Sequence, residues 1–343
     1  MRAAGCREYG EFMTSVTVFG AGSWGTAIAC LLARGGHRVR LWGRDPTRVD
    51  QIRQTRINAP YLPDVTLPET VDFTADLGHA ARGAPVWVLA VPSFAMRALA
   101  EQLRPHCTDR TVVVNLAKGL ESNSLKTMSQ VLQDVLPPAR VFTLSGPSHA
   151  EEVGLDYPTS VVIAGHDLQR GKSLQQLFMT ERFRPYLSED LLGVEYGGAI
   201  KNVIALAAGI LDGLGFGDNA KGALIARGLA EMVRLGVKLG TQRETLFGLS
   251  GLGDLVTTCT SKHSRNRFVG EQLGKGRSLA EVLSQMKMVA EGVFATQTVA
   301  TLARARKVDM PITHACHAVL YEGVSPLEKL SELMTRQLKL ERI

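Results

Sequence analysis

No dense tract of lysine and arginine with interleaved aromatics occurs in the 343 residues, and aromatic residues make up only 6% of the chain. That shortage argues against a nucleic-acid surface, although 39 Lys+Arg against 33 Asp+Glu leave a formal charge of +6 and a pI near 9.1. The surplus suits a small anionic ligand instead. Long hydrophobic runs are missing as well. Stretches such as Pro85 to Pro92 and Val203 to Leu211 fall well short of the roughly 20 residues a membrane helix requires, so the expectation is a soluble globular protein and not an integral membrane one. The first twelve residues carry Glu8 and Glu11 and no apolar segment; they read as a loose extension before Met13, a second candidate start, and not as a secretory signal. Cysteine is sparse: Cys6, Cys30, Cys107, Cys259 and Cys316 are odd in number, scattered and free of any C-x-x-C pair, which excludes a disulfide framework and fits a reducing cytoplasm. His314 and His317 flank Cys316 with no further ligand cluster near in sequence, so no metal site is expected.

What the chain does contain is 45% hydrophobic residues over a length that divides naturally into two domains. Near its start, VTVFGAGSWGTAIA (Val16 to Ala29) runs a β-branched stretch into Gly20, Gly22 and Gly25 at G-x-G-x-x-G spacing, with helix formers behind. A strand ending at Phe19, a tight turn at Gly20, close backbone approach at Gly22 and helix-on-strand packing at Gly25 together make a dinucleotide site, with the pyrophosphate at the helix N-terminus. Strand-like segments recur at His37 to Trp42, Thr70 to Phe73, Val86 to Val91, Thr111 to Leu116, Arg140 to Leu144 and Ser160 to Ala164, alternating with helical ones such as Ser93 to Leu103. This is an α/β, Rossmann-like, doubly wound and mostly parallel sheet, whose ligands lie beyond the carboxyl ends of the strands. From Gly193 onward strand signals vanish. Helical stretches follow at Gly197 to Leu211, Lys221 to Leu239, Leu279 to Met286 and Gly292 to Lys307, with capping-box starts at Ser278/Glu281 and Ser325/Glu328. The expected division is a dinucleotide-binding domain over 13–190 and an all-helical substrate and catalytic domain over 191–343.

The end of the second strand decides between the nicotinamide cofactors, because an acidic residue there holds a ribose hydroxyl whereas arginine accommodates a 2′-phosphate. Arg44 and Asp45 stand side by side. With Asp45 capping the helix that Pro46 begins, Arg44 is left for the ribose and NADPH is favoured, NADH remaining open. Lys201 lies with Asn202 in an otherwise small and apolar helix, on a stripe with Ala205, Ala208 and Asp212. Desolvation there depresses an amine's pKa and lets it donate a proton to the alkoxide that forms when a ketone is reduced; a lysine snorkelling from the helix end is the competing reading. Gly251 and Gly253 bend the chain around Asp254, and Ser264, Arg265 and Asn266 follow as a compact cationic loop suited to phosphate. Lys118, in NLAKGL, and Gly146 with the Ser148/Glu151 capping pair, in SGPSHAE, sit where two strands run out.

These residues resemble the bacterial-type NAD(P)-dependent glycerol-3-phosphate dehydrogenase family. The matching segments are GAGSWGTA, NLAKGL, SGPSHAEE, EYGGAIKNVIALAAGILDGLGFGDNAKGALIARG and SGLGDLVTTCTSKHSRNRFVG, and the likeness runs from about Met13 to near the C-terminus. It implies that Ser23, Trp24, Arg44 and Lys118 contact NADPH, with Ala150 bordering the cofactor, Arg265 near it, Val289 and Glu291 of MVAEGV as late contacts, and Tyr61 a weaker one. It implies that Gly146, Ser148 and Lys118 help hold the triose phosphate, that Lys201 is the proton donor and acceptor, and that Asp254, Ser264, Arg265 and Asn266 complete the pocket. The implied activity is reversible reduction of dihydroxyacetone phosphate to sn-glycerol 3-phosphate for glycerophospholipid synthesis; the glycine- and alanine-rich helical domain, for its part, suits pairing with itself, so a homodimer is expected. Two rivals stand beside it: a related two-domain dehydrogenase of another hydroxy acid, and a dinucleotide-binding redox sensor without turnover. The extension Met1 to Phe12 departs from the family pattern.

Overall fold

The computed structural model describes residues 13–137, 139–286, 288–338 and 340–341; the extension Met1 to Phe12, with Cys6, lies outside the described residues. The first half alternates β1 (Ser15–Phe19), α1 (Ser23–Arg34), β2 (Arg38–Trp42), α2 (Pro46–Thr55), a small hairpin of β3 (Ile57–Asn58) and β4 (Leu62–Thr66), β5 (Val71–Thr74), α3 (Leu77–Ala81), β6 (Val86–Leu89), α4 (Met96–Leu103), β7 (Val112–Asn115), α5 (Met128–Val135), β8 (Arg140–Ser145), α6 (Ala150–Gly154), β9 (Thr159–Ala164), α7 (Leu168–Phe178) and β10 (Phe183–Ser188). Eight strands form one sheet in the order β10-β9-β8-β7-β6-β1-β2-β5. Its direction of winding reverses at β1, between β6 and β2, so the glycine turn opens at the switch point where doubly wound sheets bind ligands.

The expected strands are present. One departs in direction: β9 pairs antiparallel with β8, through Thr143↔Ala164 to Ser145↔Val162, because α6 has only five residues and provides no full crossover helix. Two features have no counterpart in the sequence reading, the β3–β4 hairpin and the edge strand β10, which pairs parallel with β9. Capping explains several boundaries. Asp45 Oδ1 accepts from the backbone N–H groups of Thr47 and Arg48 at the start of α2, as expected. Ser148 does not cap α6; His149 occupies that position.

The second half is α8 (Leu191–Gly213), α9 (Asp218–Lys238), α10 (Arg243–Phe247), a π-helical turn over Leu249–Gly253, α11 (Asp254–Thr260), α12 (Arg265–Gly274), α13 (Leu279–Ser284), α14 (Glu291–Arg306), α15 (Pro311–Tyr321) and α16 (Pro326–Met334). Ser278 and Glu281 form the expected capping box on α13, whereas Ser325 makes no side-chain cap on α16. The central helix, α8, is longer than expected because Asp190 Oδ1 captures the Gly193 N–H at 2.8 Å. Its 23 residues are long and apolar enough to cross a membrane, which corrects the sequence impression that no such segment exists; the whole of its most apolar window is buried inside the protein. Helices α9, α10, α11, α12, α14 and α15 pack on it.

Glu195 fastens α8 to the sheet. Its carboxylate accepts from Ser129 N (2.9 Å), Thr143 Oγ1 (3.0 Å), Asn115 Nδ2 (3.3 Å) and Ser129 Oγ (2.5 Å). On the far side α8 meets α12 at backbone contact. A Cβ built on Gly270 would lie 2.0 Å from Leu206 O, and one on Gly209 would lie 1.9 Å from Arg267 O. Gly222, on α9, has open space around it. Gly270→Ala is therefore expected to destabilise the protein by about 1–3 kcal/mol through overpacking, while Gly222→Ala stabilises it by about 0.5–1 kcal/mol through helix entropy. Urea unfolding of the two variants measures both signs.

Candidate active site

The carboxyl edge of the sheet meets the middle of α8 and the N-terminal ends of α11, α12 and α14 in one hydrogen-bonded cluster. Lys118, just past β7, sends its ammonium to Asp254 Oδ2 at 2.8 Å, the Gly146 carbonyl at 2.8 Å and Ser148 Oγ at 3.3 Å. Lys201 donates to the other oxygen, Asp254 Oδ1, at 2.9 Å and to Thr258 Oγ1 at 2.6 Å. Both Lys201 (5% exposed) and Asp254 (2% exposed) are buried, so the snorkelling alternative fails. Burial is the main force on the Lys201 amine and pushes it down to about 8, against the pull of Asp254 and with the repulsion of Lys118 adding to the fall. Burial would raise the Asp254 carboxyl, but the ammonium groups of Lys118 and Lys201 outweigh it and hold the acid below its usual range.

The neighbouring amides continue the array. Asn202 Nδ2 donates to the Lys118 carbonyl at 2.9 Å, its Oδ1 accepts from Asn266 Nδ2 at 2.8 Å, and Asn266 Oδ1 accepts from Gly292 N at 2.8 Å. Ser264 caps α12 by accepting from Arg267 N. Arg265, on the first turn of that helix, donates to the Val289 carbonyl at 3.3 Å and lies in the field of Glu151, Glu291 and Tyr61. Asp212, expected on the Lys201 stripe, turns away to pair with Lys221 and Arg267 at 2.6 Å each. Among the described residues no three His, Cys, Asp or Glu side chains gather as a metal cluster, and His317 bonds Glu322.

The glycine turn has the form a dinucleotide needs. Gly20 adopts φ +116°, where a Cβ would strike the Ala90 carbonyl at 2.7 Å, and a Cβ on Gly25 would lie 1.9 Å from Gly20 O. Gly22 faces open space, so its missing side chain leaves room for something outside the protein. No side chain caps α1 and no acid lies in its first turn, which leaves its N-terminal amides directed at an anion. Ser23 Oγ donates to the Tyr61 carbonyl at 2.8 Å, and Arg48 stacks 4.9 Å over the Tyr61 ring while donating to its hydroxyl. Trp24 Nε1 is buried without a partner. Arg44 stands exposed at the end of β2, with Asp45 engaged in its cap. Ala150 opens α6. Glu291, on α14, reaches across to Ser93 of the loop after β6, accepting from its N–H at 2.8 Å and its hydroxyl at 2.6 Å.

Three participants escaped the sequence reading. Thr258 lies four residues after Asp254, a helical spacing that places both on one face of α11. His149 sits inside the SGPSHAE motif without having been singled out. Ser93 meets Glu291 across 198 positions, with no local signal.

Comparison with known proteins identifies the family. The family model described as the N-terminus of NAD-dependent glycerol-3-phosphate dehydrogenase matches residues 15–170, and its C-terminal counterpart matches 190–331. Glycerol-3-phosphate dehydrogenase [NAD(P)+] 1 of Salinibacter ruber is 52% identical over 332 residues, covering 96% of this chain and 97% of that protein. The enzyme of the same name from Chlorobium phaeobacteroides is 50% identical over 95% of this chain and 98% of its own length. The crystal structure of glycerol-3-phosphate dehydrogenase from Coxiella burnetii superposes with a TM-score of 0.92 at 39% identity, covering 95% of this chain and all of that one. With both family models matched in order and full-length relatives at half identity, this chain belongs to the NAD-dependent glycerol-3-phosphate dehydrogenase family.

Proposed function

We propose that this site carries out the reversible, NAD(P)H-dependent reduction of dihydroxyacetone phosphate to sn-glycerol 3-phosphate, with Lys201 exchanging the proton. Full-length similarity to glycerol-3-phosphate dehydrogenases [NAD(P)+] supports the reaction and its cofactors. The observation that carries the residue assignment is the buried Lys201 ammonium, held at 2.9 Å by Asp254, whose other oxygen takes Lys118 from the carboxyl end of β7. When bound, the reduced nicotinamide supplies hydride to the ketone carbon. Lys201 then gives its proton to the new alkoxide, and an amine near 8 does this readily in either direction at physiological pH.

The other side chains orient and hold. Arg265, Asn266 and Ser264 of the α12 start grip the phosphate, with Gly146, Ser148 and Lys118 closing on the substrate from the strand ends. Binding energy at the phosphate thereby aligns the remote carbonyl. Gly20, Gly22, Gly25, Ser23, Trp24, Arg44, Tyr61, Lys118, Ala150, Arg265, Val289 and Glu291 receive the dinucleotide, and Arg44 favours NADPH over NADH. A sensor that never turns over has no use for a desolvated amine beside a second anion grip. We further read the division as 13–190 and 191–343, in line with the last strand ending at Ser188. Exposed Phe216, Val237 and Phe247 on the helical half support a homodimer, and the free thiols of Cys30, Cys107, Cys259 and Cys316 a cytoplasmic location. The product feeds glycerophospholipid synthesis.

Mixing the protein with NADPH and dihydroxyacetone phosphate should produce loss of nicotinamide absorbance, and a non-phosphorylated ketone should not; no loss with either would end this reading. Lys201→Ala is expected to lower kcat by about 10²–10⁴-fold, the usual span of general acid catalysis, with NADPH affinity retained by fluorescence titration. Reduction uses the ammonium form, so its kcat should fall as pH rises through about 8, while oxidation of glycerol 3-phosphate, which needs the free amine, rises over the same interval. Arg44→Ala removes a charge-assisted contact of about 1.5–3 kcal/mol and should weaken NADPH about 10–100-fold without weakening NADH.

A further inference from the structure

The loop after β8 holds one polar group for which the fold has no use. His149 lies between Ser148, whose Oγ is 3.3 Å from Lys118 Nζ, and the first residue of α6. Its Nε2 is buried without a hydrogen-bond partner. The ring centroid is 5.9 Å from that of His263, tilted by 51°, and His263 belongs to the loop that leads into Ser264, Arg265 and Asn266. That loop is itself fixed, since His263 N donates to Ser261 Oγ at 3.1 Å. The charges of Lys201, Lys118, Asp254 and His263 all act on the His149 ring, so the imidazole lies near the proton-donating array. A buried ring nitrogen left unpaired costs on the order of 1–3 kcal/mol. Packing alone gives no reason to bear that cost, because a phenyl ring fills similar space.

The ring is also neutral at physiological pH: burial first, then the Lys201 and Lys118 charges, push it down to about 4. A neutral imidazole offers one donor and one acceptor. In the reaction proposed above Lys201 serves the carbonyl oxygen, and Arg265 with Asn266 serves the phosphate. What remains on the three-carbon substrate is its free hydroxyl, a group that both donates and accepts. Resting on the reaction proposed above, we propose that His149 is a further substrate-binding residue whose Nε2 hydrogen-bonds the free hydroxyl of the triose phosphate, making the site selective for the hydroxylated ketone.

The test is a substrate-by-mutation cycle. kcat/KM is measured with dihydroxyacetone phosphate and with hydroxyacetone phosphate, which keeps the carbonyl and phosphate but lacks the second hydroxyl, for the wild type, His149→Phe and His149→Gln. The wild type should prefer the hydroxylated substrate by about tenfold or more, a difference of about 1.4 kcal/mol. His149→Phe should lose activity mainly on dihydroxyacetone phosphate, so that the preference falls toward unity, and His149→Gln, which keeps a donor and an acceptor, should restore part of it. NADPH fluorescence titration and melting temperature report whether each variant is folded, and the glutamine variant carries the test should the phenylalanine one not fold. An unchanged preference ratio in a folded variant overturns the His149 assignment while leaving the reaction standing. A wild type that reduces neither ketone overturns the reaction and the assignment with it.

Discussion

A single buried carboxylate, that of Asp254, holds two ammonium groups that the chain delivers from opposite directions. Lys118 comes from the end of a sheet strand and Lys201 from the middle of the central helix, and each takes one oxygen at 2.8 and 2.9 Å. Alone in such surroundings the three charges would be prohibitive, since a buried ion must be paired and hydrogen-bonded to be tolerated. Together they leave one excess positive charge, desolvated and immobile, at the place where an anionic substrate has to come. The overall charge of +6 says little about this. The local arithmetic of two cations on one anion sets both the attraction for substrate and the acidity of Lys201.

That arrangement requires the central helix to sit in one register against the sheet. Glu195 and Asn202 are seven residues apart, nearly two full turns, so they project from one face of α8. Glu195 is bonded to β7, β8 and α5, and Asn202 to the Lys118 carbonyl. Lys201, one residue round from Asn202, is thereby turned toward α11, where Asp254 and Thr258 wait. Burial pushes the Glu195 carboxyl upward, and its four donors keep it compatible with the interior. The helix thus carries its own fastening and its reactive group on adjacent faces, and the first positions the second.

Much of this was legible in the chain because it follows from local chemistry. The β-branched runs, the G-x-G-x-x-G spacing and the Asp45-Pro46 start are decided by neighbours in sequence, and a lysine among alanines and glycines announces its own desolvation. The family resemblance supplied Val289 and Glu291, which periodicity alone reads as a connection. The missed elements share a cause. β10 contains Pro185 and the charged Arg184, as tolerated on a sheet edge. β3 is two residues long. The antiparallel turn of β9 depends on a five-residue helix whose shortness no propensity marks. Ser93, Thr258 and His149 matter through what stands opposite them, and only the folded chain shows that.

The contact between α8 and α12 has a consequence for how such a site can change. Where Gly209, Gly213, Gly270 and Gly274 bring two backbones together, there is no side chain to swap for a larger or smaller one. Lys201 and Asn202 on one helix and Arg265 and Asn266 on the other are therefore locked at a fixed separation, like two jaws cast in one piece. Adaptation to a longer or bulkier ketone would have to proceed through the strand-end loops that carry Lys118 and Ser148, which can lengthen without disturbing the helical vice.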